Sequence, residues 1–320
     1  MSPSSNRVGH LIIIGGAEEK LRQRQILSRF VSLAGGGEAR IAVVGTASSL
    51  GDEATSLYET IFTSMGVAEV RKLRPITRAE AEERSTAALL AETTGIFLTG
   101  GNQLRLAAVV AGTRLGRALA RRHRSGAVVA GTSAGASAIG SEMVAFGTAG
   151  ATPKQRMTQM SAGLGLLPGV LIDQHFEQRN RIGRLLALVA QSPTLLGIGL
   201  DEDTAGVVSP SGWMEVIGKG SITVLDAGHV VTDAPDVKRH RPIMVSGIIL
   251  HSLPAGHRFD LRRRRLLPPL RSVAASEREQ EILRHAGERT RRLARRIAAQ
   301  GALDAPLRSV PRHRDEEASE

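Results

Sequence analysis

Residues 128–136 read Val128-Val129-Ala130-Gly131-Thr132-Ser133-Ala134-Gly135-Ala136. An apolar run leads into Gly-x-Ser-x-Gly, and small residues suited to a helix start follow. That order predicts a strand, a sharp turn and a helix, with the serine at the apex. The turn forces strained backbone angles on the serine. Gly131 and Gly135 remove side chains that would strike the neighbouring strand and helix. The Ser133 hydroxyl then projects above the sheet, and the backbone N–H of Ala134 is placed to hold an oxyanion. In isolation the same five residues describe a glycine-rich helix entry with serine as an ordinary N-cap. Their position between an apolar run and a helix gives them chemical weight.

The pattern repeats on either side of this stretch. Leu11–Ile14, Ile41–Val44, Ile96–Thr99, Val170–Ile172 and Leu195–Leu200 are short aliphatic runs, most of them ending in Gly, Thr or Asp, and Val67–Arg71 is a further strand candidate. Between them lie stretches of helical spacing: Glu18–Phe30, Asp52–Met65, Thr77–Glu92, Gln103–Ala111, Arg114–Arg124 and Gln178–Gln191. Thr77 with Glu80 three residues on forms a capping-box pattern. Continuous apolar strands separated by helices predict an α/β fold, with a mostly parallel sheet covered on both faces. Right-handed crossovers bring the loops after the strands to one edge, where open sheets keep their sites. After Asp203 the segments Ala205–Val208, Trp213–Ile217, Ser221–Leu225 and Ile243–Leu253 read as antiparallel hairpins that extend this sheet. One domain is expected over residues 1–255. Residues 256–320 form an Arg-rich extension, with a charged helix at Ser276–Gln300 and disorder from Asp304 to Glu320.

Composition narrows the function. The chain of 320 residues carries a net charge of +11, yet only five of its 42 basic residues are lysine. Arginine, alanine and glycine enrichment explains that charge without a polyanionic partner, although an Arg-rich tail that binds polyanions remains a competing reading. Nucleic acid is not the expected partner. No apolar run approaches the roughly 18 residues a membrane span needs. Leu11–Ile14 is too brief for a signal-peptide core, so a cytoplasmic protein is expected. Cysteine is absent, which excludes disulfides, thiolate nucleophiles and Cys-based metal sites. The histidines form no His-x-x-x-His or His-Glu-x-x-His pair, so no metal or other cofactor is expected.

A serine nucleophile needs a base. Of nine histidines, His175 stands just past the run Val170–Ile172 and is expected at the sheet edge that carries Ser133. The base in turn needs a carboxylate. Asp201, Glu202 and Asp203 all lie at the end of Leu195–Leu200, and spacing does not choose among them. Gly100-Gly101 closes the strand Ile96–Thr99, and the N–H of Gly101 is a candidate second oxyanion donor. Arg181 and Arg184 are three apart and share a helix face. With Arg179, their plain reading is a solvated basic surface.

Five segments together resemble the cyanophycinases of peptidase family S51, which are related to aspartyl dipeptidase. They are Ile13-Ile14-Gly15-Gly16-Ala17-Glu18; Phe97-Leu98-Thr99-Gly100-Gly101-Asn102-Gln103; Gly131–Ala136; Asp173-Gln174-His175-Phe176 with the stretch from Arg179 to Leu185; and Gly199-Leu200-Asp201-Glu202. The resemblance runs from about residue 9 to 254. It implies a flavodoxin-like, glutamine-amidotransferase-like fold in a homodimer. It implies Ser133 as nucleophile, His175 as base and Glu202 as acid. Gln103, Asp173, Gln174, Arg179, Arg181 and Arg184 are the substrate-binding residues it implies; in such a pocket the arginines would hold carboxylates and Asp173 a substrate guanidinium. The implied reaction is exopeptidase cleavage of cyanophycin, a polyaspartate bearing arginine on each β-carboxyl, to β-Asp-Arg dipeptides. A related peptidase acting on small aspartyl peptides is the neighbouring possibility.

Overall fold

The computed structural model describes residues 8–268. Five strands, β1 (Leu11–Ile14), β2 (Arg40–Val44), β3 (Glu69–Leu73), β4 (Gly95–Leu98) and β5 (Val128–Thr132), lie in the order β1-β5-β4-β2-β3 and run parallel. The alternation of each strand sends side chains to opposite faces. On one face Ile13, Ala42, Val44, Ile96, Leu98 and Val129 meet α5 (Gln103–Val110), α6 (Arg114–Arg124) and α7 (Ala134–Ile139). On the other, Ile12, Ile14, Val43, Phe97 and Ala130 meet α1 (Gln25–Leu33) and α2 (Asp52–Ser64). Aromatics are scarce in the chain but concentrated here: Phe30, Phe62, Phe97 and Tyr58 pack with ring centroids 4.5–6.1 Å apart.

Local chemistry trims several predicted helices. The stretch from Glu18 does not become helical until Gln25, because the Glu19 carboxylate accepts the backbone N–H groups of Leu21, Arg22 and Arg24. A side chain that takes those donors offers the backbone an alternative to the helix. Thr77–Glu92 resolves into two short helices, α3 (Arg78–Glu82) and α4 (Arg84–Ala88), with Thr77 Oγ1 accepting from Glu80 N at the first N-terminus. The predicted helix from Gln178 starts only at α8 (Ile182–Gln191).

Two strand arrangements differ from expectation. A hairpin of β6 (Glu142–Gly147) and β7 (Thr158–Ala162), bulged between Val144 and Phe146, has no counterpart in the sequence reading. The runs β8 (Val170–Gln174) and β9 (Leu196–Leu200) pair in parallel with each other, but not with β5. They belong to a separate four-stranded sheet, so His175 does not sit on the sheet edge that carries Ser133.

The C-terminal strands divide between the two sheets. β10 (Thr204–Val208) pairs antiparallel with β1, and β11 (Trp213–Gly218) pairs with β10, extending the larger sheet. β12 (Ser221–Asp226) returns to β9, and β15 (Ile249–Pro254) pairs with β12. Between them, β13 (Val231–Thr232) and β14 (Val245–Ser246) form a small ladder of their own. β16 (Arg258–Asp260) and β17 (Arg265–Leu267) complete the nine-stranded sheet beyond β11. The folded chain thus continues past residue 255 into the Arg-rich stretch, where Arg264 pairs with Asp226 at 2.6 Å. The described residues form one compact unit. The predicted helix at Ser276–Gln300, the predicted disorder of Asp304–Glu320 and the polyanion-binding tail lie outside the described residues. Among the described residues no helix is long and apolar enough to cross a membrane.

Candidate active site

Ser133 joins β5 to α7 with φ 51° and ψ −113°. A non-glycine residue there costs on the order of 1–3 kcal/mol and persists only where its surroundings enforce it. Two contacts do so. Ser133 N donates to Ile14 O at 2.9 Å, tying the turn to the end of β1. A Cβ on Gly131 would lie 2.4 Å from the Gly135 backbone, and one on Gly135 would lie 2.3 Å from Leu98 O. Only glycine fits at either position.

His175 follows β8 and is brought to Ser133 by the loop after β1. Its backbone N–H donates to Gly15 O at 3.0 Å. Its ring lies over Gly16, where an added Cβ would stand 2.4 Å from Cε1. Nε2 is 2.9 Å from Ser133 Oγ, and Nδ1 is 2.6 Å from Glu202 Oε1. A carboxylate against Nδ1 keeps the proton on that nitrogen, leaving Nε2 as acceptor for the serine hydroxyl. Burial pushes the imidazole below its ordinary value; the hydrogen bond to Glu202 opposes this and the nearby Arg179 cation adds to it. The ring is therefore neutral at neutral pH, the state a general base requires.

The three acidic residues after β9 part ways. Glu202 alone reaches His175. Its backbone N–H donates to Gln178 Oε1 at 3.0 Å, which fixes the turn. The buried Asp201 carboxylate accepts from Ser221 N and Oγ and from Glu177 N. Asp203 accepts from Glu19 N at 2.8 Å and pairs with Lys219 Nζ at 2.8 Å. Cavities of about 240 Å³ and 280 Å³ border this turn, the first lined by Glu19, Asp203 and Lys219, the second by Glu177, Arg181 and Asp201; Ser133 lines neither.

The candidate oxyanion donors flank the serine. Ala134 N opens α7. Gly100 lies against Ser133, since a Cβ there would be 3.4 Å from the serine Cβ, and Gly101 follows with φ 137°. Neither Gly101 N nor Ala134 N donates to a protein acceptor among the described residues.

The residues implied to bind substrate fall into two groups. Asp173 is wholly buried, and its carboxylate is held by Arg184 through Nε at 2.6 Å and through Nη2, and by Arg181 Nη1 at 3.3 Å. It faces two arginines of its own chain, which leaves it no opening toward a guanidinium from outside. Gln174 is also buried and accepts from Arg181 Nη1 through Oε1 at 3.0 Å and through its backbone carbonyl. Arg181 loses proton affinity through burial, down to about 10, although Asp173 acts in the other direction. Gln103 Nε2 donates to Val144 O and Ala145 O at 2.9 Å each, holding the bulge of β6. Arg179 stands apart: it is exposed and forms no ion pair among the described residues. Sequence reasoning overlooked Gln178, and it treated the stretch from Gly15 to Glu18 only as a strand ending, a helix start and a family motif.

A strained serine, a neutral imidazole and a carboxylate linked in series on an α/β scaffold are the apparatus of a serine hydrolase. The sequence model of Peptidase family S51 matches residues 11–213. The chain belongs to that family and is a peptidase. It is 41% identical over 267 residues to a cyanophycinase of Trichormus variabilis, covering 83% of this chain and 90% of that one. A cyanophycinase of Synechococcus elongatus is 40% identical over 273 residues, covering 83% and 85%. Among solved structures, a peptidase from an acI-B1 Actinobacterium superposes with a TM-score of 0.60 at 22% identity, over 80% of this chain and 98% of the other, and shares its fold.

Proposed function

We propose that this chain hydrolyses cyanophycin from a chain end, releasing β-Asp-Arg dipeptides through an acyl-enzyme at Ser133. His175 Nε2 takes the Ser133 proton as Oγ attacks the backbone carbonyl carbon of an aspartyl residue. The N–H groups of Gly101 and Ala134 hold the resulting oxyanion. The carbon–nitrogen bond then breaks, and the imidazolium gives its proton to the leaving nitrogen. Water attacks the ester with His175 again as base, releasing the carboxylic acid and restoring the serine. Glu202 keeps the imidazole in the working tautomer and balances its charge in the transition state.

The observation that carries this reading is the unbroken contact from Ser133 Oγ through His175 to Glu202. It occurs in a chain that is about two-fifths identical to cyanophycinases over most of its length. Arg179, the exposed member of the arginine set, reaches a substrate carboxylate; Gln103, Asp173, Gln174, Arg181 and Arg184 form the wall behind it. The enzyme works in the cytoplasm as a homodimer, a state that light scattering measures directly.

The test is incubation with purified cyanophycin and mass analysis of the product. Wild type should yield β-Asp-Arg, and Ser133→Ala should yield none while keeping its melting temperature. Turnover of small Asp-X peptides with no release from the polymer would assign the enzyme to small aspartyl peptides. Undiminished polymer cleavage by Ser133→Ala would remove Ser133 from the mechanism.

A further inference from the structure

Directly beneath the serine turn lies a buried carboxylate that the reaction above does not use. Glu18 is 3% exposed. Its Oε2 accepts from Thr132 Oγ1 at 2.5 Å, and its Oε1 accepts from Tyr58 OH at 2.5 Å and faces Lys20 Nζ at 3.1 Å. Thr132 is the last residue of β5 and precedes Ser133. Tyr58 projects from α2, its ring 4.5 Å from that of Phe97 in the core. Contact with Glu18 and burial together raise the Tyr58 phenol well above its ordinary value, burial being the larger cause, so the hydroxyl stays protonated and remains a donor.

The loop from Ile14 to Glu19 therefore touches the serine turn, the histidine and the neighbour of Glu202. Ile14 O holds Ser133 N, Gly15 O holds His175 N and Gly16 O holds Asp203 N. Glu19 N donates to Asp203 beside Glu202. Glu18 adds the side-chain hold on Thr132. Burying a carboxylate is costly unless it is fully hydrogen-bonded and compensated by charge. Two hydroxyl donors and an ammonium meet that need, and one of the donors is the immediate neighbour of the strained residue.

We infer that Glu18 is a positioning residue for the nucleophile: by holding the Thr132 hydroxyl it fixes the peptide that sets the angles of Ser133, and Tyr58 anchors the carboxylate to α2. The inference rests on Ser133 being the nucleophile. Catalytic geometry is sensitive at this level, since a misplacement of about 1 Å costs on the order of a hundredfold in rate. A side chain one residue away that is locked by its own hydrogen bonds gives the support such precision needs.

The experiment compares Thr132→Val, Thr132→Ser, Glu18→Gln and Ser133→Ala on cyanophycin, at a temperature well below every melting transition. Valine keeps the shape of threonine but offers no donor. Thr132→Val should lower kcat about tenfold with KM unchanged. Thr132→Ser restores the donor and should stay within about twofold of wild type, and Glu18→Gln should fall with Thr132→Val. A kcat for Thr132→Val equal to wild type, or a loss in Thr132→Ser as large as in Thr132→Val, would overturn the inference while leaving Ser133 in place. Full activity of Ser133→Ala would instead strike the reading on which it rests.

Discussion

The two halves of the active site are held by opposite means. The nucleophile side is steric: Gly131 and Gly135 let β5, α7 and β4 close around the strained turn at Ser133. The base side is electrostatic: His175 follows β8 two residues after Asp173, and that strand end is fixed by buried contacts from Arg184 and Arg181 to the Asp173 carboxylate. The first half sits in the nine-stranded sheet and the second in the four-stranded one, and the loop after β1 touches both. Steric control depends on the absence of atoms. Electrostatic control depends on buried charges that must all be matched. The two halves should therefore fail differently.

Glu202→Gln should have the largest effect. A glutamine at Nδ1 can offer N–H groups where the imidazole must itself donate, which favours the wrong tautomer, and kcat should fall about 10⁴-fold with the fold intact. Asp201→Asn should change stability more than turnover, because Asp201 serves Ser221 and Glu177. Steady-state kinetics of both variants checks this. A larger kcat loss in Asp201→Asn would reverse the assignment of the carboxylate.

Next comes a pair of glycine variants that probe the steric half. Gly131→Ala drives a methyl into the Gly135 backbone, and Gly16→Ala drives one into the His175 ring. Each should displace one partner of the Ser133–His175 contact and cost about a hundredfold in kcat. Gly16 also holds φ 101°, so its variant carries backbone strain as well.

The same contrast explains what could be read from the sequence. Steric control writes itself into glycine, so the turn at Ser133 and the pairs Gly15-Gly16 and Gly100-Gly101 were legible. The apolar runs gave the parallel strands and the covered sheet for the same reason: burial on both faces demands aliphatic residues. The division into two sheets was not legible, because Val170–Ile172 is equally apolar beside β5 or beside β9. Nor was the hairpin of β6 and β7, where Thr158–Ala162 has one β-branched residue and no aromatic to mark a strand. Spacing put Arg181 and Arg184 on one face. It did not reveal that this face is buried, which turned Asp173 from a partner of substrate into a partner of arginine. Glu18 belongs to a family segment, but its enclosure carries no sequence signal, since an acidic residue there looks the same whether solvated or enclosed.

Asp173→Asn tests the electrostatic half through stability. Removing one member of a buried ion cluster leaves the others unpaired, a loss of about 3–5 kcal/mol. Chemical denaturation should report that loss through a lower midpoint with an unchanged slope. Gly131→Ala, by contrast, should lose more activity than stability. If both variants lost stability and activity in the same proportion, the distinction between the two halves would fail.

The smallest effect is a shift in pH dependence, and it isolates one charge. His175 acts as base only when neutral, so kcat/KM falls as pH drops through its pKa, which burial and Arg179 hold below the ordinary 6.5. Arg179 is exposed and unpaired among the described residues, so its removal deletes a cation without opening a cavity. In Arg179→Gln the imidazolium is less disfavoured, the pKa rises, and the acid limb of the kcat/KM profile moves to higher pH. Added salt should move the wild-type limb the same way, because an exposed charge is screened, and should leave the Arg179→Gln limb nearly still. A limb that stayed in place in Arg179→Gln would mean that this exposed cation does not tune the base. The two halves of the site would then differ in how they are held but not in how they are tuned.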